Sequence, residues 1–121
     1  MNEEISAAGQ ATSLYRIDRF TVPAEARDAF LGRIVFIRDF LASQPGCLYN
    51  RIAESRRDDG FISMMTIVEW RDRPSMEAAR TSVKARYDEI GFNPQAFMTE
   101  LGIDPDFGLF ADIPARDPVM A

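Results

Sequence analysis

Two rhythms of hydrophobic residues alternate along the chain, one with a period of two and one with steps of three and four. "LYRIDRFTV" (14–22) is rich in aromatic and β-branched residues and predicts a strand. Pro23 cannot donate a ladder hydrogen bond but suits a first helical turn, so the strand should stop there. In "AEARDAFLGRIVFIRDFLAS" (24–43), Ala26, Phe30, Ile34, Ile37 and Leu41 recur at three- and four-residue steps and form one helical stripe. Phe36 and Phe40 widen that face, which implies more than one neighbour for this helix. "QPG" (44–46) ends it, because Pro45 disfavours helical geometry at Gln44 and Gly46 permits a turn.

"CLYNRIAES" (47–55) and "FISMMTIVEW" (61–70) flank "RRDDG" and predict a hairpin, with Asp59-Gly60 suited to a two-residue type I′ turn. That turn pairs Asp58 with Phe61, and so sets Tyr49 across from Trp70 and Arg51 across from Val68. A three-residue loop with a bulge would instead bring Leu48 opposite Trp70. The next helix has Asp72 or Arg73 as its cap, Pro74 at its start and Gly91 beyond its end. Its stripe is Met76, Ala79, Val83, Tyr87 and Ile90. A short helix follows from the cap Asn93 through "PQAFMTEL" to Gly102, and "DFGLFADI" (106–113) reads as a last strand.

The predicted order, β-α-β-β-α-α-β, is an α+β, ferredoxin-like split βαβ pattern with an antiparallel sheet. One domain is expected over 14–113, with a small, polar, disordered arm at 1–13 and a tail at 114–121. Helices cover only one face of such a sheet. Yet Ile62, Met64, Val68 and Trp70 on one side of the third strand, and Phe61, Met65 and Ile67 on the other, are all apolar. A sheet greasy on both faces needs a partner, and a homodimer closing sheet against sheet is the simplest one.

Composition adds mainly exclusions. The chain of 121 residues carries a formal net charge of −5, and its basic residues are scattered, so no nucleic-acid face is expected. No apolar run approaches a membrane span, and "MNEEISAAGQATS" lacks the apolar core of a signal peptide, so the expected location is cytoplasmic. Cys47 is the only cysteine and histidine is absent, which removes intrachain disulfides, thiolate metal clusters and triads built on histidine. No metal or cofactor is expected: there is no Walker sequence, calcium loop or glycine-rich phosphate loop. Any acid–base catalyst must be a shifted carboxylate, the thiol, a tyrosine or the substrate's own acidity.

The candidates each fit more than one role. Trp70 is either a plug at the end of the core or a wall where Tyr49 and Arg51 meet a flat aromatic molecule. Asp18, on the same side of its strand as Phe20 and Val22, is either a buried base, the ion-pair partner of Arg16 or another arginine, or a solvated residue near the strand's edge. Tyr87, with Arg80 two turns earlier, is either core or a pocket wall with its hydroxyl at a rim. Cys47 reads as an inert small hydrophobe, and Glu69 and Asp72 as capping carboxylates.

"RFTVPAEARDAF", "QPGCL" and "IVEWRDRPSMEAA", in that order over roughly residues 14–90, resemble the antibiotic biosynthesis monooxygenase (ABM) domain of the dimeric α+β barrel superfamily. The resemblance implies a homodimer with a pocket between sheet and helices in each subunit. It also implies either oxygenation of anthrone- or quinol-type aromatics by O₂ without cofactor, or haem opening with an asparagine, the tryptophan and a histidine. Trp70 matches the family tryptophan, while Asp18 stands where the haem-degrading group has its asparagine and no histidine exists. The expectation is a cofactor-independent monooxygenase of phenolic or polycyclic aromatics. Asp18 would assist deprotonation, Trp70, Tyr49 and Tyr87 would wall the pocket, and Arg51 or Arg80 would steady a phenolate. The alternative is a non-catalytic dimeric barrel that binds a small hydrophobic ligand.

Overall fold

The computed structural model describes residues 13–113, so the expected tail (114–121) and the expected arm (1–13), apart from Ser13, lie outside the described residues. Strand β1 (Leu14–Pro23) leads through a 3₁₀ turn at Ala24–Ala26 into α1 (Arg27–Ala42). Strands β2 (Cys47–Arg56) and β3 (Phe61–Trp70) form the hairpin. Helices α2 (Arg73–Ile90) and α3 (Pro94–Leu101) precede β4 (Asp104–Ala111). The sheet order is β2-β3-β1-β4, antiparallel throughout, which is the ferredoxin-like arrangement with β1 and β3 central.

Local chemistry explains the boundaries. The Asp72 side chain accepts from Ser75 N–H at 2.8 Å and caps α2, and Asn93 accepts from Ala96 N–H at 3.0 Å to cap α3. Both helices end on a left-handed glycine, Gly91 and Gly102. The last strand starts two residues earlier than its pattern suggests. Pro105 is tolerated there because β4 is an edge strand bonded only to β1. The stripe of α2 also stops sooner than expected, since Ile90 is 40% exposed.

The hairpin differs more consequentially. Arg56, not Arg57, pairs with Ile62, so the loop is longer than two residues. Within the loop the Asp59 carboxylate accepts from Phe61 N–H at 3.2 Å, and Gly60 adopts φ +87°. Tyr49 consequently pairs with Glu69, Asn50 with Val68 and Arg51 with Ile67. An irregularity between Cys47 and Tyr49 then sets Cys47, rather than Tyr49 or Leu48, opposite Trp70.

Helices cover one face, where Val22, Phe20, Ile62, Met64, Val68 and Trp70 are buried. On the other face Ile17, Met65 and Ile67 are half-buried, and Tyr49, Phe61 and Phe110 are exposed. Among the described residues no helix is long and apolar enough to cross a membrane.

Candidate active site

The core is divided. One cluster joins Phe20, Val22, Ala26, Phe30, Met64 and Ile103, and a second joins Val68, Trp70, Met76 and Ala79. Between them lies a cavity of about 630 Å³, lined by members of both. That volume suits a small organic ligand.

Strand pairing fixes the cavity floor. Ile52, Thr66, Asp18 and Phe107 form one row across the sheet, and Asn50, Val68, Arg16 and Leu109 form the next. The flanking rows hold Met64 with Phe20 and Trp70 with Leu14. Four polar side chains, Asp18, Thr66, Asn50 and Arg16, thus interrupt an apolar floor at its middle. Ile34, Ile37 and Leu41 of α1 and Val83 and Tyr87 of α2 line the cavity as well.

Asp18 sits within this floor with its side chain 16% exposed, and Arg16 Nε lies 2.7 Å from its Oδ1. The ion-pair role weighed for Asp18 is therefore realised, and the carboxylate is not a lone buried base. Arg16 in turn lies over the Phe107 ring, 5.3 Å from its centroid. Asn50 donates from Nδ2 to the carbonyl of Arg38 at 2.8 Å, which ties the β2 floor to α1. Trp70 is 3% exposed, belongs to the cluster against which Leu14, Leu41 and Cys47 pack, and also lines the cavity, so core plug and wall are the same residue.

Tyr87 lines the cavity too, and burial pushes its phenol above the usual tyrosine range against the opposing pull of Arg33. Its ring packs on Phe92 with centroids 5.0 Å apart, and Phe92 packs on Phe97 at 5.3 Å. Arg80 stands exposed at the rim, 3.6 Å from Glu77. Cys47 is half-buried, and desolvation raises its thiol pKa.

Tyr49 and Arg51 do not join this group. The hairpin register turns both to the uncovered face, where Tyr49 is 44% exposed and Arg51 lies over its ring at 5.4 Å. Asn50 and Ile52 take their places in the cavity. The correction follows from the loop alone, because a shift of one residue inverts every side chain of a strand. Asn50, Thr66 and Arg33 line the cavity and were not among the residues that the sequence singled out. An asparagine in mid-strand was a usable signal for the first, whereas threonine in a strand is too ordinary to stand out.

The family model for antibiotic biosynthesis monooxygenase matches residues 13–86. Among solved structures, the chain resembles SnoaB, a cofactor-independent oxygenase from Streptomyces nogalater. A mutant form of SnoaB is 28% identical, covering 87% of this chain and 94% of that one, with a TM-score of 0.55. The SnoaB structure determined at 1.9 Å is 25% identical over 88% of this chain and 100% of that one, TM-score 0.54. A Pseudomonas aeruginosa protein, 15% identical over 85% of this chain and 96% of its own, has the same fold with a TM-score of 0.63. No curated protein matches the sequence.

Proposed function

The chain belongs to the antibiotic biosynthesis monooxygenase family, and from that premise we propose a cofactor-independent monooxygenase of phenolic, quinol or anthrone-type aromatics. The observation that carries this reading is the polar patch of Asp18, Thr66, Asn50 and Arg16, set into the floor of an apolar cavity beside Trp70. Similarity to the cofactor-independent oxygenase SnoaB supports it.

In this scheme the Asp18 carboxylate takes a proton from the bound substrate. Arg16 holds that carboxylate in place and offsets the charge that develops on the substrate oxygen. This role replaces the one expected of Arg51, which faces away from the cavity, and of Arg80, which faces Glu77. The substrate anion then gives its electrons to O₂ and forms a carbon–oxygen bond. For an activated CH₂ group the balance is CH₂ + O₂ → C=O + H₂O, so no further reductant enters. Trp70 and Tyr87 wall the ring system and keep water from the anion. The uncovered sheet face, apolar at its centre, suits a second copy of the chain, and the working form is a homodimer.

The test is oxygen uptake with an anthrone or quinol, corrected for spontaneous oxidation and run without added metal, flavin or haem. With the anthrone, one O₂ consumed per carbonyl formed is the expected result. Stoichiometric ligand binding with no uptake above background would replace the enzyme reading with the ligand-binding one.

A further inference from the structure

The cavity is charged against the sign of the chain. Five arginines and two acids line it, a formal +3 in a protein of net charge −5. Arg16 faces Asp18, Arg80 faces Glu77, and Arg38 turns to Asp39 at 3.2 Å. Among the described residues, Arg33 and Arg73 have no carboxylate within salt-bridge distance. Of these two, Arg33 is the anchored one. Its guanidinium rests 4.3 Å from the centroid of Phe92, next to the Tyr87 ring that packs on the same phenylalanine.

Accepting the aromatic-binding cavity described above, we propose that its natural ligand is an aromatic acid and that Arg33 is the residue that selects it. The planar guanidinium presents two parallel N–H donors, which match the two oxygens of a carboxylate. Contact with the Phe92 ring restrains that fork before a ligand arrives, so less side-chain freedom remains to be lost on binding. Tyr87 adds a phenol on the cavity wall, protonated at neutral pH and hence able to donate. Arg33 lies exposed, whereas Trp70 is buried. The carboxylate therefore stays at the solvent side, where its desolvation costs least, and the rings reach inward. An arginine that served only solubility would need neither the aromatic platform nor a place on the cavity wall.

The experiment compares 2-naphthoate with its neutral isostere 2-naphthamide by calorimetry at neutral pH. The acid should bind roughly tenfold or more tightly, the usual scale of one charge-assisted fork. Arg33→Met and Arg33→Gln should each bring the two ligands to similar affinity, the acid losing more than the amide. Arg73→Met should keep the preference. Equal binding of acid and amide by the parent protein overturns this inference but leaves the aromatic cavity standing. So does a preference that survives both Arg33 variants or vanishes with Arg73→Met. Failure of both ligands to bind removes the aromatic-cavity reading, and this inference with it.

Discussion

At the scale of single residues the proposed chemistry rests on Asp18, and its environment decides what a substitution should do. The strand parity that puts Asp18 beside Phe20 and Val22 was legible in the sequence, as was an arginine two positions away to pair with it. What the chain could not display was the neighbourhood. Thr66 and Phe107 are separated from Asp18 by dozens of residues and meet it only through the register of β3 and β4. Asp18→Asn keeps the size of the side chain and removes both the base and the charge opposite Arg16. Oxygen uptake should fall by about 10²–10⁴ while calorimetry still shows ligand binding. Stability should fall by about 1 kcal/mol, because a partly exposed ion pair is lost without opening a cavity. A lone desolvated carboxylate would give the opposite sign, since its neutral replacement would be more stable. Unchanged uptake together with reduced stability would make Asp18 a purely structural partner of Arg16.

At the scale of elements, periodicity located every helix and strand, and the errors collected where a loop sets register. The stripe of α1 and the caps of α2 and α3 are local signals, written within a few residues of one another. The choice between a two-residue turn and a longer loop is also local, but "RRDDG" suits both. That one ambiguity moved Tyr49 and Arg51 to the wrong face. The joint before β2 is better determined. Gly46 adopts φ +87°, and a Cβ there would overlap the Ser75 side chain at the start of α2. Its carbonyl also accepts from Arg71 N–H at 2.8 Å, which closes the turn beneath Trp70. Gly46→Ala should therefore cost about 1–2 kcal/mol for the left-handed backbone, with a further loss from the overlap. Adding Ser75→Gly should recover only the second part. Chemical denaturation of the two variants separates the contributions, and full recovery by the double variant would place the whole cost in the overlap.

At the scale of the whole molecule, β1 serves two surfaces at once. Alternation sends Arg16 and Asp18 into the cavity and Ile17 and Arg19 to the uncovered face. Ile17 pairs directly with Ile67, and Met65 stands beside them in a half-buried apolar centre. Charged groups lie further out, among them the Arg19–Asp106 pair on the side of β4. That layout, apolar in the middle and charged outside it, is the one expected of an interface. The sequence carried the apolar face plainly but not which face the helices would leave bare. A sheet-to-sheet homodimer should bury more than about 2,000 Å², and it would hold the strand that carries Asp18 from behind. Ile17→Glu tests this, because a two-fold interface duplicates the new charge and opposes it to itself across the contact. Sedimentation of the parent protein should give a dimer at micromolar concentration, and the variant should sediment as a monomer. Loss of the dimer should also loosen the cavity floor, so ligand affinity should fall although position 17 does not line the cavity. A parent chain that is a folded monomer at micromolar concentration would refute the dimer. A variant that turns monomeric with ligand affinity intact would show that the floor of each subunit is rigid on its own.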